Sequence, residues 1–194
     1  MTATELPRLG ILMLDTRFPR IPGDVGNPAT WDFPVRYRVV ERATPEAIVR
    51  ADPEPFVEAF IEAGRALVSQ GCTGIATTCG FLALVRPRLS AALGVPVAAS
   101  ALEQGPQIAA ALPPGQRIGV LTISKESLTP AHLNTAGLGE DTPVEGMEGT
   151  SFARTILGNE TELEVRDARR EMVIAARRLI SAHADIGSVI LECT

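Results

Sequence analysis

The sequence predicts an α/β protein of two pseudo-symmetric lobes, each with a mainly parallel sheet flanked by helices and with the active site between the lobes. Three observations predict it. Short apolar runs alternate with helical segments along the chain. The second half repeats landmarks of the first. Each half ends a buried run on a cysteine, Cys79 and Cys193.

The elements follow in order. Leu9–Leu14 is an apolar run suited to a buried strand. A loop rich in Pro and Gly follows through Thr30, including Phe18-Pro19-Arg20-Ile21-Pro22-Gly23-Asp24; loops this long in compact domains are often functional. Val35–Val40 alternates like a half-exposed strand. Pro55 opens a helix that runs to Gln70 and stops at Gly71. Cys72–Thr78 is a third strand, Phe81–Leu93 a helix, Val95–Ala98 a short strand and Leu102–Leu112 a helix. After Pro113-Pro114-Gly115, Arg117–Thr122 is a strand. Ser124 is read as the cap of a helix over Lys125–Ala136. Pro143–Met147 is a strand, Thr161–Ala184 a long amphipathic helix and Ser188–Glu192 the last strand. The lobes are assigned residues 1–100 and 101–194.

The repeat supports this division. Arg8-Leu9-Gly10-Ile11-Leu12 returns as Arg117-Ile118-Gly119-Val120-Leu121. Ala63-Gly64-Arg65-Ala66-Leu67-Val68-Ser69 returns as Ala175-Ala176-Arg177-Arg178-Leu179-Ile180-Ser181. The offsets are 109 from Gly10 to Gly119, 112 from Leu67 to Leu179 and 114 from Cys79 to Cys193. A slowly growing offset is what small loop insertions produce. A unit of half the chain means a duplicated lobe rather than a solenoid.

Composition narrows the function. The 194 residues are 45% hydrophobic and 21% charged, a globular balance. A net charge of −5 without a basic run argues against nucleic acid. No uncharged stretch is long enough to span a bilayer, and the amino terminus lacks a signal pattern, so a cytoplasmic protein is expected. Three cysteines and no Cys-x-x-Cys pair exclude a disulfide framework. Only His132 and His183 are present, so no metal site is expected. His132 reads as a surface or capping residue and His183 as a helix end suited to the dipole. The charges of Glu160–Glu171 read as a solvated helix face.

The cysteines carry the chemistry. Ligands bind at the carboxyl ends of parallel strands, where Cys79 and Cys193 fall. Cys72 lies at the opposite strand end and reads as structural. Inverting a carbon centre needs a proton removed from one face and delivered to the other, and a thiol/thiolate pair does both. At pH 7 an ordinary thiolate costs about 2 kcal/mol, and a helix start after Gly80 offsets part of it. Backbone N–H groups near Gly80 and Phe81, and hydroxyls of Thr78, Ser124 and Thr194, are candidate donors to a developing enolate. Thr122, at the end of its strand, joins them. Glu192, by alternation, should point away from Cys193.

Thr77-Thr78-Cys79-Gly80 and Glu192-Cys193-Thr194, each after a strand, resemble the aspartate/glutamate racemase superfamily. Gly26-Asn27-Pro28-Ala29-Thr30 is similar to the substrate loop of aspartate racemases, and Asp15-Thr16 to the Asp-Ser pair of glutamate racemases. The resemblance implies a cofactor-independent racemase or epimerase acting beside a carboxylate. Cys79 and Cys193 would be its acid/base groups, and Asp15, Asn27 and Thr30 would join the substrate contacts. Cys79-Gly80-Phe81 departs from the Cys-Asn-Thr of amino-acid racemases, which argues against plain aspartate or glutamate. Hydantoin racemases, maleate isomerases and arylmalonate decarboxylases share the scaffold, so decarboxylation or cis–trans isomerisation is the alternative. A non-catalytic small-acid-binding protein is another. A homodimer is expected. Chains of this superfamily run on past the second cysteine, so the sequence is expected to be a fragment or early-terminated form, with no segment returning to the first lobe.

Overall fold

The computed structural model describes residues 8–193, so Thr194 lies outside the described residues. Two parallel sheets form. The first has strands β1 (Leu9–Leu14), β2 (Val35–Val40), β3 (Gly74–Thr77) and β4 (Val97–Ala98) in the order β2-β1-β3-β4. The second has β5 (Arg117–Thr122), β6 (Val144–Gly146) and β7 (Ile186–Leu191) in the order β6-β5-β7. Every pairing is parallel. Parallel strands need crossovers, and helices supply most of them. The helices are α1 (Val57–Ser69), α2 (Arg86–Leu93), α3 (Gly105–Ala111), α4 (Pro130–Thr135), α5 (Ser151–Leu157) and α6 (Val165–Ala182).

The repeat in the letters is a repeat in the packing. A Cβ at Gly10 of β1 would fall 2.7 Å from Ile75 Cδ1 and 3.1 Å from Leu67 of α1. A Cβ at Gly119 of β5 would fall 2.7 Å from Ile186 Cδ1 and 3.0 Å from Leu179 of α6. In both lobes a glycine in the central strand lets one helix leucine sit on the sheet. Leu67 and Leu179 are almost wholly buried, and truncating such a leucine leaves a cavity costing about 2–5 kcal/mol. Helix α1 buries Val57, Phe60, Ile61, Gly64 and Leu67, the three-and-four spacing of an amphipathic helix.

Several elements differ from expectation. The segment after Cys79 begins as a 3₁₀ helix over Gly80–Val85, and α2 follows with Pro87 in its first turn. Pro lacks the N–H that a first turn does not use, so it opens the helix instead of breaking it. The helix expected over 125–136 shortens to Pro130–Thr135. Ser124 instead holds a turn, accepting the Ser127 N–H at 3.3 Å. A π-helical turn over Glu46–Ala51 and helix α5 were not anticipated. Thr150 caps α5 by accepting the Ala153 N–H at 3.0 Å. Glu171, expected in a solvated face, accepts the N–H groups of Ser151 and Phe152 at 3.0 and 2.9 Å. His132 caps rather than sits at the surface. It is buried, its Nδ1 accepts the Thr129 N–H at 3.1 Å, and its ring meets Phe81 edge-on.

The lobes share one apolar core. The 16–30 loop is tied across them by Asn159, which donates to the Asp15 carbonyl at 3.0 Å and accepts from the Arg17 N–H at 2.6 Å. No helix among the described residues is long and apolar enough to cross a membrane.

Candidate functional site

A cavity of about 1060 Å³ opens at the carboxyl ends of both sheets, lined by both Cys79 and Cys193. Equivalent positions explain the meeting. Cys79 follows β3, which pairs with β1, and Cys193 follows β7, which pairs with β5. Cys72 is buried near the opposite end of β3 and does not line the cavity. Walls come from the 16–30 loop through Phe18 and Arg20, from Trp31 just after it, and from α5 and α6 through Phe152 and Met172.

Both thiols are held protonated at rest. Burial first, then Glu192, pushes Cys79 up to about 12, against smaller opposing effects of the Phe81 N–H, Arg20 and the Leu82 N–H. Burial pushes Cys193 well above an ordinary thiol. Glu192, Cys79 and Asp24 add to that push, and Arg20 opposes it. The helix start offsets part of this through the Phe81 and Leu82 N–H groups, but burial outweighs it. At pH 7 a thiolate at Cys79 costs about 7 kcal/mol, more than three times the ordinary figure.

Two charged residues missed at the sequence level organise the cavity. Arg20 donates to Asp24 at 2.8 and 3.0 Å, to Thr16 Oγ1 at 3.0 Å and to Thr78 Oγ1 at 3.4 Å, and its guanidinium lies over the Phe18 ring. Its signal was an Arg four residues before Asp24 in a loop rich in Pro and Gly. Glu192 corrects the alternation rule. Strand β7 ends at Leu191, so period two no longer governs the next side chain. Glu192 lines the cavity with Cys193, is 3% exposed, and accepts the Thr122 hydroxyl at 2.6 Å through Oε2. Burial pushes its carboxyl up to about 7, with the Thr122 hydrogen bond opposing.

The remaining expected contacts divide. Thr78, Gly80 and Phe81 line the cavity. Gly80 has no side chain for a steric reason, since a Cβ there would collide with Glu192 Oε1. Thr122 lies behind the cavity and reaches it through Glu192. Asp15, Asn27, Thr30 and Ser124 do not line it. The Asp15 carboxylate accepts the Arg42 N–H at 3.0 Å. Asn27 caps a 3₁₀ turn and donates to the Arg20 carbonyl at 2.6 Å. Thr30 donates to the Asp24 carbonyl at 2.6 Å. These two shape the loop that presents Arg20. Among the described residues no group of three or more His, Cys, Asp or Glu is placed to hold a metal ion.

Similar architecture occurs in solved structures. Arylmalonate decarboxylase superposes with a TM-score of 0.63 at 16% identity, over 95% of this chain and 76% of that one. Glutamate racemase from Aquifex pyrophilus gives 0.57 at 19% identity, over 96% and 71%. An aspartate racemase homologue from Pyrococcus horikoshii gives 0.56 at 18%, over 97% and 85%. The fold is the one these three proteins share. Comparison of sequences finds a different group of proteins. The chain is 28% identical to a dimethylsulfoniopropionate lyase of Durusdinium sp. clade D, over 96% of this chain and 64% of that protein. It is 28% identical to dimethylsulfoniopropionate lyase 7 of Emiliania huxleyi, over 98% and 59%. The chain thus spans less than two thirds of the length of these relatives. No family model matches it.

Proposed function

We propose that the cleft removes a proton from a carbon next to a carboxylate, and that a sulfonium group on the adjacent carbon then leaves as a neutral sulfide. The observation that carries the reading is the meeting of Cys79 and Cys193 in one cavity beside Arg20 and Glu192. Cys79 is the base. Its thiolate is favoured by the Phe81 and Leu82 N–H groups and by Arg20, whereas Cys193 has Arg20 alone against several anionic or thiol neighbours. In the reaction the Cys79 thiolate takes the α-proton. The C–H electron pair forms the carbon–carbon double bond, and the C–S pair leaves with sulfur. The products are a dialkyl sulfide, an acrylate and a protonated Cys79, which returns its proton to water.

The relatives named as dimethylsulfoniopropionate lyases support this outcome over inversion. So does electrostatics. A buried thiol near 12 becomes a usable base only when positive charge arrives beside it, and a sulfonium substrate brings that charge. Inversion is the second reading, favoured by Cys193 at the equivalent strand end of the second lobe. With a substrate that lacks a leaving group, its thiol would return a proton to the opposite face.

The test supplies dimethylsulfoniopropionate and, separately, single enantiomers of aspartate, glutamate and a hydantoin in deuterated water. The expected result is dimethyl sulfide and acrylate in equal amounts from the first, without inversion of the others. Inversion of an enantiomer without sulfide release selects the second reading. Neither reaction would remove both.

A further inference from the structure

We propose that Glu192 acts as a neutral carboxylic acid whose Oε1 donates a hydrogen bond to the carboxylate of the bound substrate. The proposal rests on the reading of the cleft as a site for carbon acids that carry a carboxylate. Three geometric facts support it. Glu192 is 3% exposed, yet Oε1 has no hydrogen-bond partner among the described residues. A buried polar oxygen without a partner calls for an explanation, and in a residue that lines a cavity a bound ligand supplies one. Oε2 already accepts the Thr122 hydroxyl at 2.6 Å, which leaves Oε1 as the oxygen that carries the acidic proton. The carboxyl end also lies directly over Gly80, so close that any side chain there would collide with Oε1. Gly80 follows Cys79, and Glu192 precedes Cys193. The acid is thus set between the two cysteine-bearing strand ends, where a substrate carboxylate must lie if its α-carbon is to meet a thiol.

The surroundings favour the neutral form. The titratable and charged groups that line the cavity with it are Cys79 after β3, Cys193 after β7, Arg20 and Asp24 of the 16–30 loop, Glu103 just before α3, and Arg169 of α6. Both cysteines are thiols at neutral pH. The guanidinium of Arg20 bonds Asp24, Thr16 and Thr78 and makes no bond to Glu192. Burial adds to this and places the titration of Glu192 near 7. A neutral acid beside a substrate carboxylate serves the reaction twice. It binds an anion without ionic repulsion. Its hydrogen bond strengthens as negative charge moves onto the carboxylate oxygens during α-proton removal, the way a neutral acid serves in an oxyanion hole.

The test uses propionate, which has the carboxylate and α-carbon but no leaving group. Binding is measured by calorimetry from about pH 6 to about pH 9 in buffers of different ionisation enthalpy. The wild-type protein should lose about tenfold in affinity per pH unit above the Glu192 titration and take up close to one proton per propionate bound at the alkaline end. Glu192→Gln keeps a donor, because Thr122 holds the amide oxygen and turns the NH₂ toward the cavity. Its affinity should match the acid-limit value of the wild type and stay flat with pH, with no proton uptake. Glu192→Ala should bind weakly at every pH. Flat wild-type affinity, or a Gln variant that keeps the wild-type pH slope, would overturn the proposal. If sulfide release from dimethylsulfoniopropionate persists in that case, only the role of Glu192 fails. If propionate binds at no pH and no sulfide is released, the proposal and the reading of the cleft fail together.

Discussion

Cys79→Ser should lower the proposed release of sulfide by about 100- to 10,000-fold, the range a positioned general base contributes. The size follows from the site. The serine hydroxyl is a far weaker acid than a thiol, and the Phe81 and Leu82 N–H groups that favour a thiolate cannot bring an alkoxide into range. Cys193→Ser has a smaller effect on elimination, because the sulfide leaves as a neutral molecule and needs no proton. The same variant abolishes any inversion, because inversion requires a second proton donor. Initial rates of sulfide release, measured by gas chromatography, separate the two variants. Equal losses in both would mean that the thiols share the base role. A larger loss in Cys193→Ser would reverse the assignment.

Arg20→Met should destabilise the protein by about 3–5 kcal/mol, the cost of leaving one partner of a buried ion pair alone. Arg20 and Asp24 have side chains only 10% and 11% exposed, and without the guanidinium the buried Asp24 carboxylate loses both hydrogen bonds that pair it. Its remaining hydrogen bond, from the Gly26 N–H at 2.6 Å, holds the turn but supplies no charge. The loop then loses its link to Thr78 and with it the cavity wall formed by Phe18. Urea unfolding measures the loss. Arg20→Met combined with Asp24→Asn should recover most of it, because the orphaned charge is gone. Failure of the double variant to recover stability would mean that the guanidinium acts through Thr16 and Thr78 instead.

Much of the scaffold was legible because the chain states it twice. Gly10 and Gly119, Leu67 and Leu179, and Cys79 and Cys193 sit at matching places because the same strand–helix contact and the same strand end recur. Strand identity followed from apolar runs that both faces of a parallel sheet bury. The site was legible only where it lies on that repeat. Arg20 and Glu192 escaped because their roles arise from tertiary contacts. Arg20 acts from an irregular loop with no period. Glu192 sits one residue past its strand, where alternation had ceased. Asp15, Asn27 and Thr30 were assigned from a loop likeness, and the structure gives their polar groups to the backbone. Helix α5 escaped because its seven residues, Ser151–Leu157, are too few to show a period.

The most direct test of α-proton removal by a cysteine of this cleft is competition between dimethylsulfoniopropionate and its α-dideuterated form. The ratio of the two in the residual substrate reports the proton-transfer step even where product release limits turnover. The wild-type protein should consume the protonated substrate faster and leave the residue enriched in deuterium, and the Cys79→Ser, Cys193→Ser double variant should release no sulfide above the uncatalysed rate. No enrichment, together with undiminished release by the double variant, would contradict the account.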